Sequence, residues 1–375
     1  MTEQMKGKLS ELTKAQLVYI VLAAIMLVLL MAVCGCASIS SAETPDTEFT
    51  DIDFPDIEAD IENENLLSTE QAVFVAGTNN IIINAGSEWE LEGVLTLPEG
   101  IGPFPLVVIV HGSGRADKYR YRDLTNFLAE QGIASIRHEK RPTAYPKINQ
   151  DVNFTLKEES VDDALSAVAL AKTIEKINQD MIFVLGHSQG GFLIPKVHEG
   201  DKDDMIAGFI SLAGKPRSIR EELKEYIEME SLIISEMSEE RLKEYNGTLK
   251  LYDAIKSLTE EEIKSLTEED INNLTDEDIK SLTGADTAYW LYIIKYDALE
   301  SAKNICKPVL FLQGDNDTIV MPDDLYLWQS AAQNNPQAVY KLYPDLDHHF
   351  RKPNSAVIEK EVVIDIAEFI KSQYN

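Results

Sequence analysis

Met181-Ile182-Phe183-Val184-Leu185 is a continuous apolar run that passes directly into Gly186-His187-Ser188-Gln189-Gly190-Gly191, after which the pattern turns helical. An unbroken apolar run of this length reads as a strand buried on both faces, which requires a parallel sheet covered by helices. The hexapeptide contains the order Gly-x-Ser-x-Gly. Between a strand and a helix, that order describes a turn so sharp that the serine stands in a strained backbone conformation, while flanking glycines let strand and helix approach each other. The turn lifts Ser188 to the carboxyl edge of the sheet, with the free N–H groups of the next helix behind it. Without the strand the pentapeptide is a weak signal, a chance glycine-rich turn; its placement gives it weight.

Outward from this turn the same grammar recurs. Leu106–Val110, Ile133–Ile136, Gly208–Leu212 and Val309–Leu312 are further continuous apolar runs. Helical patterns separate them, around Tyr121–Gln131, Glu159–Ile177, Gly191–His198, Pro322–Gln333 and Ala356–Gln373. Ahead of them Val73–Val75, Ile81–Asn84 and the alternating Trp89–Leu97 read as opening antiparallel strands. Strands alternating with helices predict an α/β domain whose mostly parallel central sheet carries helices on both faces.

The runs deliver the other parts that a serine nucleophile needs. Leu106–Val110 leads into His111-Gly112-Ser113-Gly114. The N–H of Ser113 there and that of Gln189 after the serine are the expected oxyanion donors. Val309–Leu312 leads into Gln313-Gly314-Asp315-Asn316-Asp317-Thr318-Ile319-Val320, a turn with two aspartates, either of which can orient a histidine. A last strand, Tyr340-Lys341-Leu342-Tyr343, precedes Pro344-Asp345-Leu346-Asp347-His348-His349-Phe350, a loop with two histidines. A neutral serine hydroxyl attacks poorly until a base accepts its proton, and the order Ser, Asp, His supplies that base and its orienting carboxylate.

With these parts in place, the chain from about Trp89 to its C-terminus resembles the bacterial α/β-hydrolase carboxylesterases related to dienelactone hydrolases and serine-peptidase-like lipases. The likeness is carried by Leu97-Pro98-Glu99-Gly100, Gly102-Pro103-Phe104-Pro105, His111–Gly114, Leu185–Gly191, Leu212-Ala213-Gly214, Tyr289-Trp290-Leu291 and Leu312-Gln313-Gly314 with Asp317. Family patterns G-x-x-D-x-x-V and L-N-H-x-F align with Gly314, Asp317 and Val320 and with Leu346, His348 and Phe350. The resemblance implies Ser188 as nucleophile, His348 as general base then acid, Asp317 as the carboxylate that fixes the imidazole, and Tyr289 and Trp290 at the acyl or alcohol site. Gln189 stands where Leu is common, and Asp347 replaces the asparagine, adding negative charge beside the base. The implied activity is hydrolysis of small to medium acyl esters through an acyl-enzyme, with no metal or organic cofactor. A peptidase or acyltransferase on the same triad, and a catalytically silent surface-anchored binding protein, are the alternatives. His349 is the rival to His348. His111 and His187 read as turn or packing residues and Asp315 as turn chemistry; Arg137-His138-Glu139-Lys140-Arg141 ends a strand at the same sheet edge and could border the pocket, with a solvated loop the preferred reading; His138 and His198 have no companions for a metal site.

Composition closes off other classes. The 375 residues carry 34 Lys and Arg against 64 Asp and Glu, a net charge of −30, which argues against a nucleic-acid partner because such binding rests on cations neutralising phosphates. Three cysteines, Cys34, Cys36 and Cys306, build neither a disulfide framework nor a zinc site. Residues 1–42 read as an export or anchoring segment: Ala15–Val33 is apolar, with Lys6, Lys8 and Lys14 before it. Val33-Cys34-Gly35-Cys36 resembles a lipobox, which would lipidate Cys36; cleavage after Ser40-Ser41-Ala42 and a retained membrane helix are the other outcomes. Either lipid or helix would attach the exported protein to a membrane. Residues 43–68 are an acidic spacer, and 69–375 form the α/β domain.

One block interrupts the alternation, a helical, charged insertion at about 215–304, far longer than an ordinary connection. Within it Ser257-Leu258-Thr259, Ser265-Leu266-Thr267, Asn273-Leu274-Thr275 and Ser281-Leu282-Thr283 repeat every eight residues. Eight helical residues advance roughly 80° past two full turns, so a single helix would wind its apolar stripe around itself. A staircase of short capped turns is expected instead, with Thr259 and Glu262 as one capping box and Leu258, Ile263, Leu266, Ile271, Leu274 and Ile279 inward. Such an insertion would roof the pocket.

Overall fold

The computed structural model describes residues 74–148, 154–270 and 287–374. The apolar N-terminal run, Cys36, the acidic spacer, Ile271, Leu274 and Ile279 lie outside the described residues.

Strands β1 (Gly77–Ile83) and β2 (Leu91–Leu97) form an antiparallel hairpin, with Gly77 opposite Leu97 and Ile83 opposite Leu91. The expected strand at Val73–Val75 is not seen at its described end: Val75 instead meets the Asn79 side chain, which bonds both its N–H and its C=O. The alternation read over Trp89–Leu97 also gives way, because every residue of β2 but Glu92 is buried between β1 and its other neighbour.

There follow β3 (Phe104–Val110), α1 (Arg122–Glu130) and β4 (Ala134–His138). A π-helical turn, Lys157–Asp162, continues as α2 (Asp163–Ala171) and leads to β5 (Ile177–His187). After β5 come α3 (Gln189–Phe192), α4 (Ile194–Gly200) and β6 (Gly208–Leu212). The insertion contributes α5 (Ile219–Glu230), α6 (Glu239–Ile255), α7 (Glu260–Ser265), α8 (Thr287–Lys295) and α9 (Ala298–Ala302). The chain ends with β7 (Val309–Gly314), α10 (Asp324–Ala331), β8 (Ala338–Tyr343) and α11 (Lys360–Lys371).

The eight strands lie in the order β1-β2-β4-β3-β5-β6-β7-β8, antiparallel up to the β2–β4 pair and parallel from there on. This is the expected α/β-hydrolase architecture. Successive side chains of one strand enter opposite layers, which is why the runs are uninterrupted: Val108 and Val184 pack with Ala164, Ala167 and Val168 of α2, whereas Val107 and Phe183 pack with Leu124 of α1 and Val362 and Ile366 of α11. Each fully buried aliphatic or aromatic side chain contributes about 1.5–3 kcal/mol. Register brings the strand ends level. Val110 pairs with Gly186, His187 with Leu212, and Leu212 with Leu312, so the segments after β3, β5, β6 and β7 leave the same edge side by side.

The insertion contains no strand among its described residues. Its helices start on local caps: Ser218 with Glu221 and Thr259 with Glu262 are complete capping boxes, and Thr267 with Asp270 repeats the exchange. Leu258, Ile263 and Leu266 pack, partly buried, against the core on the layer that holds Ile219, Leu251 and Ile293.

Candidate active site

Ser188 sits at φ 55° and ψ −116°, a conformation that costs on the order of 1–3 kcal/mol and is held by its surroundings. Its N–H donates to Leu212 O at 2.9 Å and its C=O accepts from Phe192 N–H at 2.9 Å, which tie the turn to β6 and α3. Glycines are needed here because backbones touch: a Cβ on Gly186 would lie 2.1 Å from Gly190 O, and one on Gly190 2.3 Å from Val110 O. Beside Ser188 is a cavity of about 50 Å³, with Ser113 and Gln189 on one side. Its apolar wall includes Leu156, Phe192, Val320, Ile219 and Ile293. Lys215 and Glu222 also reach it as a 3.6 Å ion pair; burial pushes the Glu222 carboxyl up, and Lys215 opposes that shift.

The two histidines have different partners. His348 Nδ1–H donates to Asp317 Oδ2 at 2.8 Å, which leaves Nε2 as the ring acceptor, the tautomer a general base requires. Asp317 is 3% exposed, and donors surround it: Ile319 N–H at 2.8 Å and Val320 N–H at 2.9 Å on one oxygen, Gln313 Nε2 at 2.9 Å on the other. Asp315 instead accepts the Asp345 N–H at 2.6 Å, pinning the acid turn to the histidine loop. His349 stacks on His187 at 5.2 Å, and burial, then His348 and Arg351, pull its pKa down to about 3. The Asp347 carboxylate accepts the N–H groups of His349 and Arg351, both at 2.9 Å, and so braces the loop.

His187 does more than fill a turn. Its Nε2–H donates to His348 O at 2.9 Å and its Nδ1 accepts from the Tyr121 hydroxyl at 2.8 Å, while its ring lies 4.8 Å from that of His348. Burial first, then His348 and His349, hold its pKa well below the usual value. The residue before the serine therefore carries the histidine loop against the turn. No local pattern announces this, since its partners are 66 and 161 residues away in the chain.

Two expectations are corrected. Arg137–Arg141 is not a solvated loop: Arg137, His138, Lys140 and Arg141 are buried, with Arg137 and Lys140 only 1% exposed. They form the end of β4, which lies between β2 and β3, and the turn that follows it. Arg141 clamps Asp163 through Nε and Nη2 at 2.8–3.0 Å, and His138 O receives His111 Nε2–H at 2.6 Å. Tyr289 and Trp290 are not among the described residues that line the cavity at Ser188. Both are buried in the core, Tyr289 stacked on Phe154 at 6.5 Å, and it is Ile293, one turn further along α8, that faces the cavity.

Residues 102–352 match the serine aminopeptidase S33 family. Over 266 residues the chain is 29% identical to esterase EstD of Thermotoga maritima, covering 69% of this chain and 57% of that relative's length. Among solved structures, an esterase of Pyrococcus furiosus aligns over 80% of this chain and 92% of its own with a TM-score of 0.51 at 13% identity. An acylaminoacyl peptidase of Pyrococcus horikoshii aligns over 79% of this chain and 41% of its own with a TM-score of 0.50 at 15% identity. These two likenesses show the fold.

Proposed function

The chain belongs to the serine aminopeptidase S33 family, and from that premise and the geometry we propose that it is a serine hydrolase that cleaves small to medium carboxylic esters through an acyl-enzyme. The observation that carries this reading is the buried Asp317–His348 pair, docked through His187 onto the turn that bears Ser188. Ser188 Oγ attacks the ester carbonyl as His348 Nε2 takes its proton, and Asp317 stabilises the imidazolium without itself accepting the proton. The Ser113 and Gln189 N–H groups receive the negative oxygen of the tetrahedral intermediate. Collapse expels the alcohol, which leaves with the proton from His348; water then repeats the sequence on the acyl-enzyme and releases the acid. A cavity of about 50 Å³ with apolar walls favours a short acyl chain.

The test is reaction of the purified protein with a fluorophosphonate probe, and turnover of p-nitrophenyl esters of rising chain length beside peptide p-nitroanilides. A labelled protein that turns over the esters supports the reading. An unlabelled one removes it and leaves a silent binding protein. Faster anilide turnover would favour the peptidase reading, which the Lys215–Glu222 pair at the cavity supports because it offers both charges to a peptide terminus.

Export and membrane attachment belong to the same proposal, supported by the Ala15–Val33 run and by Cys36. Replacing Cys36 with Ser is expected to release the protein from the membrane fraction. A variant that stays bound would make the apolar run a retained helix.

A further inference from the structure

A buried cation is bonded to the peptide that carries one of the N–H groups assigned to the negative oxygen and to the side chain of the residue that carries the other. Lys140, just after β4, is 1% exposed, and its ammonium meets three oxygens: Gly112 O at 2.9 Å, Gln189 Oε1 at 3.2 Å and Glu159 Oε1 at 2.5 Å. Two of the three ammonium hydrogens thus have hydrogen-bond acceptors, and the Glu159 carboxylate supplies the opposing charge. Gly112 O belongs to the same planar peptide unit as the Ser113 N–H, one expected donor. Gln189 contributes the other donor from its own backbone. The bond to Gln189 Oε1 depends on the side chain that departs from the family's common Leu, a contact Leu cannot make.

Glu159, itself 2% exposed, is presented by the π-helical turn Lys157–Asp162, a distortion that recurs at functional sites. Stability alone does not account for such a pair, because apolar side chains of similar volume in place of a buried ion pair are often neutral or stabilising. Its placement does. A cation on the carbonyl end of a peptide draws electron density from the N–H and strengthens it as a donor, and in a site closed to water a fixed positive charge favours a developing oxyanion.

We propose that Lys140, held by Glu159, is a positioning residue for the oxyanion hole: it fixes and polarises the Gly112–Ser113 peptide and orients Gln189, so both N–H groups are aimed before the substrate oxygen becomes negative. The proposal rests on the reading of Ser188 as nucleophile and of Ser113 and Gln189 as donors. Its action falls on the tetrahedral state and not on the bound ester, so kcat is affected and KM is spared.

The test uses the full chain with p-nitrophenyl acetate and with a trifluoromethyl ketone, whose serine adduct carries an oxyanion. The double variant Lys140→Met with Glu159→Met removes both charges, so neither is left buried alone. It is expected to lower kcat by about 10- to 100-fold, keep KM within about twofold, and weaken the ketone by the same factor as kcat while Tm stays near that of the wild type. Gln189→Leu is expected to show the same parallel loss at about two- to fivefold. A folded double variant with wild-type kcat and ketone affinity overturns the proposal, and so does a kcat loss that ketone affinity does not follow. Should the double variant not fold, Gln189→Leu decides, and unchanged kcat and ketone affinity in it overturn the proposal. A wild type that fails to react with fluorophosphonate overturns the nucleophile reading as well, and shows this before any variant is compared.

Discussion

The carboxyl edge of the sheet and the helical insertion face one another across a single cavity, yet different physics builds them. At the edge, Ser188, Asp317 and His348 are 7%, 3% and 7% exposed; Ser188 is bonded to β6 and His348 to His187 and Asp317, all distant in the chain, while Asp317 is also held by its own turn through Gln313, Ile319 and Val320. In the insertion the helices begin on local capping boxes, and one apolar side of each, including Ile219, Leu223, Leu251, Ile255 and Ile293, anchors it to the core. The edge is over-determined, so a strained serine and a buried carboxylate persist there. The insertion is determined mainly by short-range sequence and tolerates change on its solvent side. Under the proposed function, the chemistry falls on the first and part of the pocket wall on the second, which would separate turnover from selectivity.

The largest effect that would test this division is Ser188→Ala. We expect a loss of about 10⁴-fold or more in kcat and no fluorophosphonate label, with the thermal transition retained. A variant that keeps substantial turnover would move the chemistry off the edge. Next come the paired choices within the edge. Asp317→Asn should reduce kcat by about 10³- to 10⁴-fold because it leaves the imidazole without its carboxylate, and His348→Ala should approach the serine variant. Asp315→Asn and His349→Ala should cost far less, since they only disturb loop hydrogen bonds and stacking; equal losses within either pair would undo the assignment.

Smaller effects belong to the insertion. Ile293→Val removes one methylene from the cavity wall, costs about 0.5–1.5 kcal/mol of stability, and should shift the ester panel toward longer acyl chains by about tenfold or less in relative kcat/KM. An unchanged chain-length profile would show that α8 does not shape the acyl site. His111 and His187, both 2% exposed, have pKa values well below normal, chiefly because burial disfavours the charged ring. Below about pH 6.5 the unfolded chain binds protons that the folded chain refuses, so stability is fully present above that pH and falls as pH drops through it. Each ring contributes a slope of up to about 1.4 kcal/mol per pH unit, readable as a falling urea midpoint between pH 7 and pH 5. All six histidines lie outside 215–304, so this loss belongs to the edge and its sheet; a flat profile would show that those rings open to solvent.

What the sequence by itself determined is local. Met181–Gly191 specifies strand, turn and helix within one continuous stretch, because an unbroken apolar run and glycines at touching backbones leave no alternative. The parallel runs and the capping box at Thr259 were legible for the same reason, since each depends on neighbours within a few residues. Tertiary structure alone decided the rest. The residues alone leave Asp315 beside Asp317 and His349 beside His348; the resemblance favours one of each, and the folded chain shows that His348 and Asp317 pair 31 residues apart while His349 turns to His187. Lys140 and its neighbours, whose composition reads as a solvated loop, are buried because they end and follow β4, an inner strand between β2 and β3, where Lys140 meets Glu159 and Arg141 meets Asp163. The phase of α8 sends Ile293 to the cavity and Tyr289 and Trp290 to the core. Burial, helix phase and charge pairing are properties of assembled surfaces, and a linear pattern records only which residues are present to form them.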